Sequence, residues 1–484
     1  MTVTIAESKE ALLARLQDYG REFTLSELNA ILSSTVKHDD APKQITFLDM
    51  LVAQTREDQS NIAFQSESST GKSYIPLEIA AYFPVEDIRV YAGASPTSFF
   101  HQAGKWKPLM ELVKQYRLEG MFDRDELNDE KKKIVFVDLK SKILIFTDMP
   151  HWQLLERLRP LLSHDKEFLR YDITDKQGKA GLRTKTVLLR GFPVVVFATT
   201  NATQEDQEKT RLWLLSASAE QEKLTEALEL SGAKIANRQA FHEWIENDSQ
   251  RKWLKERVRE IRASRITDVV ISDWRDILER YRAKRPHLSP RTQRDWPRLL
   301  YLVKAHALLN CFQRVKIDDH TIMAEDRDVE AAFGLYEQVA TPNELGLSPE
   351  TYRIYQEVIV PLANDGEGCS RKEISKEYFD RYHRPLSDDR LRRQILPTLE
   401  SAGLISQEVN PLNKRENLVY CTIESPVSSV DKAPQYRGLN GAPPPLNSQI
   451  DPGKLERYVP EEGCTMPSPM FPSSKTEPTT KETV

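Results

Sequence analysis

Cysteine is scarce in this sequence of 484 residues, and long apolar runs are missing from it. Its four cysteines lie far apart and form no C-x-x-C pair, which argues against a disulfide scaffold or a zinc ribbon and predicts a reducing cytoplasmic location. No run approaches the ~18 uninterrupted apolar residues of a membrane span. Because no basic region followed by an apolar core opens the chain, we expect neither a secretory signal nor a membrane partner.

An excess of charge is also missing, since 68 Lys and Arg stand against 73 Asp and Glu, a balance of −5. This excludes a histone-like binder whose whole surface is cationic, so any nucleic-acid contact must come from local patches. The nine histidines form no H-x-x-H cluster, and no Ser/His/Asp motif is present. The sequence therefore indicates no metal or hydrolase site of those kinds.

The patterning divides the chain into five regions. Residues 1–44 predict short helices, one with Leu28, Ile31 and Leu32 on one face and "TLSE" as its cap. Residues 45–220 predict an α/β core with a mostly parallel sheet, because the apolar runs "NIAFQ", "DIRVYAG", "KIVFVDL", "KILIFTD" and "PVVVFATTN" alternate with helical stretches such as 72–83 and 152–162.

The remaining three regions contrast with this core. Residues 221–342 are expected to be helical throughout, and 343–425 predict three helices followed by two short strands. Residues 426–484 contain 11 of the 28 prolines, which favours a disordered tail.

The segment "NIAFQSESSTGKSYIPLEIAAYF" is the most informative in the chain. A short apolar strand runs into "SESSTGKS" (66–73) and then into an amphipathic helix, which is the context of a nucleotide phosphate loop. The pattern G-x-x-x-x-G-K-[ST] is met except at its first position, where Ser66 replaces glycine. We expect ATP contacts along this loop, with Lys72 reaching the β and γ oxygens and Ser73 ligating Mg²⁺. The predicted cofactor-binding set is Ser66, Ser69, Thr70, Gly71, Lys72 and Ser73.

Two later strands end in polar residues that are suited to the binding and hydrolysis of ATP. "KILIFTDMPH" places Asp148 at a strand end, where it can hold magnesium through a water, and "PVVVFATTN" ends in Asn201, which can orient the attacking water. Either residue could instead be an ordinary turn residue. The residue after Asp148 is Met149 rather than a glutamate, so the catalytic base is open among three candidates, Glu156, Asp138 and Glu67.

The order of phosphate loop, acidic strand, polar-tipped strand and helical region resembles that of AAA+ ATPases over about residues 45–340. The segment 168–193 sharpens the resemblance, because "RYDIT" and "RTKTVLLR" flank the turn "DKQGKAG" and predict a long hairpin. A hairpin at this point is similar to the pre-sensor-1 hairpin of the minichromosome-maintenance and superfamily-three helicases. The resemblance implies a tip inside a ring, with Lys176 and Lys179 gripping DNA. The alternative is a solvated loop.

Two arginines follow from the same resemblance. "LSPRTQRDWPRLLYLVKAHALLNCF" (288–312) is similar to the lid helix of minichromosome-maintenance helicases, which implies that Arg294 reaches the nucleotide, with Arg298 as the alternate. Pro297 departs from that pattern, so the helix is expected to begin near Trp296. After Asn201, Arg211 would reach the γ-phosphate of the neighbouring subunit, although it could equally be a surface arginine.

The segment 370–423 looks like a winged helix-turn-helix. Ser387 is expected to cap a helix that starts near Asp388 and ends at Gly403. The exposed arginines of this helix and the wing tip would contact DNA, and the predicted residues are Arg390, Arg392, Arg393, Lys414 and Arg415. Winged helices also bind proteins, so that alternative stays open.

Together these features predict an ATP- and Mg²⁺-dependent DNA motor that acts as a hexameric ring. We expect the helicase or replication ATPase of a mobile element, with DNA, other copies of itself and other replication proteins as partners. One alternative is an ATP-gated, DNA-bound switch without helicase activity. A second is a degenerate phosphate-loop scaffold that binds ATP without hydrolysing it, as Ser66 and Met149 would allow.

Overall fold

The computed structural model describes residues 21–66, 69–92, 104–149, 152–175, 183–199, 211–363, 368–411, 413–414, 416–422 and 456–457. Several predicted features lie outside these residues: the first 20 positions, Glu67, Lys176, Lys179, Asn201, Arg415 and nearly all of the tail. None of the described helices is both long enough and apolar enough to span a bilayer.

The strands form four sheets. They are β1 (Asn61–Gln65), β2 (Ile88–Tyr91), β3 (Lys105–Pro108), β4 (Lys133–Asp138), β5 (Ile143–Phe146), β6 (Phe168–Asp175), β7 (Arg183–Arg190), β8 (Val194–Thr199), β9 (Trp213–Leu215), β10 (Asp268–Val270), β11 (Val315–Asp318), β12 (Thr321–Met323), β13 (Cys369–Ser370), β14 (Ile405–Val409), β15 (Asn417–Cys421) and β16 (Glu456–Arg457).

The helices surround and connect these sheets. They are α1 (Leu25–Leu32), α2 (Asp40–Leu51), α3 (Tyr74–Ala80), α4 (Leu109–Tyr116), α5 (Arg124–Asn128), α6 (Trp152–Leu162), α7 (Gln221–Ala236), α8 (Arg238–Asn247), α9 (Ser249–Ala263), α10 (Trp274–Ala283), α11 (Thr292–Leu309), α12 (Asp326–Glu344), α13 (Pro349–Ile354), α14 (Val360–Leu362), α15 (Arg371–Tyr382), α16 (Asp388–Arg390) and α17 (Leu396–Ser401). Single π-helical segments join α13 to α14 and α16 to α17.

The central sheet is parallel and five-stranded, in the order β2-β5-β8-β1-β9, which confirms the predicted α/β class. Strands β5 and β8 are buried along their whole length, as expected for a sheet covered on both faces. Because the five strands are parallel, all of their carboxyl ends lie at one edge of the sheet. The connections that leave the neighbouring strands β1 and β8 run to opposite edges of the sheet, and such a switch point is where open α/β sheets bind ligands.

A second, mixed sheet has the order β3-β4-β7-β6. It contains the predicted hairpin, because β6 and β7 pair antiparallel from Phe168 opposite Arg190 to Asp175 opposite Arg183. The prediction that "KIVFVDL" joins the parallel core is wrong, since this segment is β4 and pairs with β3 and β7. An apolar run is buried equally well in either sheet, so its composition cannot select its partners.

The prediction that residues 221–342 are helical throughout is wrong, because β10, β11 and β12 form a small sheet within this region. Strands of three or four residues are too short to show a clear alternation of apolar and polar residues. The two-residue β16 adds to this sheet, so the tail, expected to be disordered, contributes one short strand. The helix α11 begins at Thr292 rather than near Trp296, and it contains Pro297 in its interior.

The C-terminal segment follows the predicted order of helices and strands more closely. Its three strands form an antiparallel sheet in the order β13-β15-β14. The Ser387 hydroxyl accepts a hydrogen bond from the Arg390 backbone N at 3.2 Å, as predicted for the cap, and Gly403 follows the helix at φ +73°. Leu391, Ile395 and Leu399 are buried. The N-terminal cap is confirmed too, since Thr24 and Glu27 form a capping box for α1.

Candidate functional site

The loop after β1 contains a tight turn at Ser69–Gly71. Ser69 and Gly71 both have positive φ values, of +66° and +98°. A Cβ at position 71 would meet no atom within 4 Å, so it is the left-handed backbone, and not a lack of space, that favours glycine there. Ser66, which replaces the first glycine of the pattern, is buried, and its hydroxyl lies 2.7 Å from that of Thr70. The serine is thus accommodated by a bond across the base of the loop.

The predicted magnesium ligand Ser73 contacts the residue that precedes Asp148, the other predicted ligand. The Ser73 hydroxyl donates to the Thr147 carbonyl at 3.2 Å, and Thr147 lies between the end of β5 and Asp148. The Asp148 side chain is exposed, and its Oδ1 accepts a hydrogen bond from the Met149 N at 2.8 Å. A hydroxyl and a carboxylate at one strand edge form an oxygen donor set of the kind that Mg²⁺ prefers. These residues fit the predicted ion together with a nucleotide phosphate.

Lys72 is half-buried in the same loop and interacts electrostatically with Glu350, a buried carboxylate of α13. Burial raises the pKa of Glu350, while Arg384, Arg353 and Lys72 act to lower it. The Glu350 N lies 3.4 Å from the Ser216 hydroxyl, which in turn donates to the Gln65 carbonyl at 2.7 Å. The C-terminal segment therefore reaches the end of β1. Sequence reasoning missed Glu350 because no local pattern relates it to the loop.

The candidates for the catalytic base are placed differently. Asp138 ends β4 in the second sheet, where it accepts a hydrogen bond from the Lys140 N at 3.1 Å and lies 3.6 Å from Arg190. It therefore does not belong to the sheet that carries the loop. Glu156 is exposed on α6. With Glu67 outside the described residues, the base stays unassigned.

The predicted arginines occupy three environments. The Arg211 Nε donates to the Ser163 hydroxyl at 2.8 Å, just beyond the end of α6. Arg294 is half-buried in the first turn of α11. Arg298, the alternate, is buried and lies 2.5 Å from Asp295 and 5.4 Å from the ring centre of Trp213. Burial lowers the pKa of Arg298 to about 10, and within the chain its guanidinium is engaged with Asp295.

Of the described cations predicted to contact DNA, some are exposed and one is half-buried. Arg390 was expected on an exposed face, but it is half-buried and its Nη2 lies 3.1 Å from Glu350 Oε2; burial lowers its pKa. Arg392 and Arg393 are exposed, and Arg393 lies 2.7 Å from Asp389. Lys414 is exposed in the connection between β14 and β15. The DNA prediction therefore depends chiefly on Arg392, Arg393 and Lys414.

One further group of potential metal ligands occurs among the described residues, formed by Glu22, His306 and Asp328. The guanidinium of Arg314 already lies against both carboxylates, at 2.6 Å from Glu22 and 2.5 Å from Asp328. His306 Nδ1 lies 2.6 Å from the same Asp328 oxygen. A buried arginine therefore supplies the positive charge that a metal ion would bring, and we interpret the group as a structural ion-pair cluster.

The structure thus gathers Ser66, Thr70, Gly71, Lys72, Ser73 and Asp148 at one edge of the parallel sheet. It leaves the predicted DNA contacts on separate elements, and the hairpin tip and Asn201 lie outside the described residues. No protein-family model and no curated protein matches the chain, so the function is inferred from this geometry.

Proposed function

We propose that the protein is an ATP-hydrolysing DNA motor of the AAA+ type that works as a ring, in the branch with a pre-sensor-1 hairpin. The observation that carries the proposal is the adjacency of the loop 66–73 and the Thr147–Asp148 strand end at the switch point of a parallel sheet. The antiparallel hairpin of β6 and β7, which directly precedes β8, supports the choice of branch.

In this proposal, each residue of the loop edge has a distinct task. Bound Mg·ATP supplies the phosphoryl group and a cation that neutralises its charge. Lys72 would hold the β and γ oxygens, and Ser73 and Asp148 would hold the ion, directly and through a water. Asn201 would orient the attacking water. Arg211 would add positive charge from the neighbouring subunit as negative charge accumulates on the phosphoryl oxygens.

The C-terminal module would dock the motor on duplex DNA. Helices α15 and α16 with the antiparallel sheet β13-β15-β14 are compatible with a winged helix, in which the helix at 388–401 is the recognition helix and the β14–β15 connection is the wing. Arg392 and Lys414 are exposed on these two elements. A protein-binding winged helix is the alternative.

The first test is the ATPase rate of the full chain without DNA, with single-stranded DNA and with duplex DNA. We expect Mg²⁺-dependent hydrolysis that DNA stimulates severalfold. Nucleotide binding without hydrolysis under any of these conditions would favour the degenerate scaffold instead. An absence of both binding and hydrolysis would contradict the nucleotide site itself.

A second test separates a motor from a switch. The double variant Lys176→Ala, Lys179→Ala should keep basal hydrolysis and lose the unwinding of a forked duplex, because the hairpin tip would no longer hold the phosphate backbone. The control Lys131→Ala, Lys252→Ala removes the same charge from exposed positions outside the hairpin. Equal unwinding by wild type and the hairpin variant would show that the tip is a solvated loop. Hydrolysis on DNA without any unwinding by wild type would favour the switch.

A further inference from the structure

A buried lysine from outside the loop reaches the phosphate loop. Lys223 lies in the first turn of α7 and is only 7% exposed. Its Nζ donates to the Thr70 carbonyl at 3.1 Å and to the Ser218 carbonyl at 2.8 Å, and it also donates to the Asp39 carboxylate. An ammonium group has three N–H donors, so this one has an acceptor for each of them.

Both oxygens of the Asp39 carboxylate accept hydrogen bonds. The second oxygen of Asp39 accepts a hydrogen bond from the Ser218 N at 2.7 Å. Asp39 itself has a left-handed backbone, with φ +50°, immediately before α2. Three segments therefore meet at this ion pair: the start of α2, the phosphate loop, and the connection from β9 to α7. Since an unpaired charge at such a depth is costly, each partner requires the other.

The contact with Thr70 controls the direction of a peptide group. In a trans peptide the carbonyl and the following N–H point in opposite directions, so the bond from Lys223 to the Thr70 carbonyl also sets the direction of the Gly71 N–H. A phosphate loop works only if its N–H groups face the anion. Glycine at position 71 would tolerate a flipped peptide, because it adopts either sign of φ with little cost.

We propose that the Lys223–Asp39 pair is a positioning device for the phosphate loop, which holds the Thr70 carbonyl away from the ligand and keeps the Gly71 N–H available to a phosphate oxygen. The inference rests on the proposed nucleotide site and adds a part to it. Lys223 acts through the backbone of the loop and does not itself touch the phosphate, so its loss weakens nucleotide binding without removing a reacting group.

The test compares Lys223→Met with Lys304→Met. Lys304 is a matched control, because its Nζ lies 2.8 Å from a buried aspartate, Asp58, which stands before β1 at the opposite end of that strand from the loop. Isothermal titration with ADP should show binding weakened roughly tenfold in Lys223→Met, the usual effect of losing one hydrogen bond to a charged group. The KM for ATP should rise by a similar factor, while kcat changes less. Lys304→Met should bind ADP as wild type does, and Lys223→Arg should restore most of the affinity.

A second measurement keeps the inference testable without a nucleotide. Hydrogen–deuterium exchange of the loop peptides spanning 66–75 should be faster in Lys223→Met than in wild type and in Lys304→Met, with the protein otherwise folded. Unchanged exchange together with ADP affinity within twofold of wild type would overturn the positioning role. Faster loop exchange in a protein whose wild type binds no ADP would support the positioning role and contradict the proposed function.

Discussion

The phosphate loop and the C-terminal module both present cations suited to phosphate, but they hold them in different ways. Lys72 stands half-buried at the edge of a buried parallel sheet, and buried polar groups such as Ser66 and Thr70 shape the backbone around it. In the module, Arg392 and Arg393 stand exposed on one helix, and Arg393 is paired with Asp389. In the proposed function the first arrangement would hold one nucleotide, whereas the second would offer charge that a long polyanion can share.

This difference shows that the groups around a cation, more than the cation itself, determine how it can interact with a phosphate. Exposed pairs such as Arg393–Asp389 contribute little to stability and exchange easily for a phosphate. Half-buried Arg390 faces Glu350, the buried carboxylate that also interacts with Lys72, so it lies between the two regions rather than on the outer surface of one. We expect substitutions at the loop edge to act on turnover and those in the module to act on DNA affinity.

The largest effect is expected from Lys72→Ala. In the proposed function it removes the ammonium that would contact the transferring phosphoryl group, so turnover should fall by about 10³-fold or more, while the melting temperature stays near that of wild type. The steady-state ATPase assay measures this directly. Lys252→Ala, at an exposed position of α9, is the control and should leave turnover unchanged. Hydrolysis by Lys72→Ala within twofold of wild type would refute the assignment of the loop.

Arg211→Ala should have the next largest effect, a loss of turnover of about 10²-fold with nucleotide binding retained, if this residue acts on the neighbouring subunit. Mixing it with Lys72→Ala should restore part of the activity, because one mixed interface keeps an intact loop and an intact arginine. Ser163→Ala removes the hydroxyl that Arg211 contacts within the chain and should not lower turnover. A failure of rescue at every ratio, in rings shown to exchange subunits, would contradict a role in trans.

A smaller effect should distinguish the exposed cations of the module from half-buried Arg390. The pair Arg392→Ala, Lys414→Ala should reduce the salt dependence of duplex binding by a log–log slope of about 1.8, or roughly 0.9 per lost phosphate contact. Arg390→Ala should change the slope less and lower the melting temperature more, because it leaves Glu350 buried without this arginine. Titrations at several salt concentrations measure the slope. Equal slopes for all variants and wild type would favour a protein-binding module.

The smallest effect concerns a buried carboxyl group beside the start of β1, at the opposite end of that strand from the loop. Asp49 of α2 accepts hydrogen bonds from the Ser60 N at 3.1 Å and the Ser60 hydroxyl at 2.5 Å, and burial raises its pKa to about 6. Since the pKa is raised in the folded state, the neutral form stabilises the protein at low pH, and this stability is lost as the pH rises through about 6.

Asp49→Asn, which stays neutral, should therefore gain on the order of 1 kcal/mol over wild type at pH 7.5 and almost nothing at pH 4. Melting curves across this pH range measure the difference. If the chain melts in two transitions, only the transition of the parallel-sheet region should move. A gain that is the same at both pH values would show that charge on Asp49 is not its cause.

Much of the local structure was predictable from short stretches of sequence. The capping box of Thr24 and Glu27, the helix that starts after Ser387, and the hairpin of β6 and β7 all follow from signals within a few residues of each other. The turn at Ser69–Gly71 belongs to the same class, because its glycine stands among contiguous polar residues between a strand and a helix. The short strands β10 to β12 were missed because they carry too few residues to establish a period.

What the sequence determined by itself is therefore the identity of the elements that carry a cap, a turn signal or a clear alternation, since these patterns act over distances of one or two turns. The tertiary structure decided which strand β4 joins, that Lys223 and Asp39 meet at the Thr70 carbonyl, and that Glu350 interacts with both Arg390 and Lys72. These contacts join residues that are distant along the chain. They exist because burial of the apolar strands brings their ends together, and no local pattern of residues encodes that geometry.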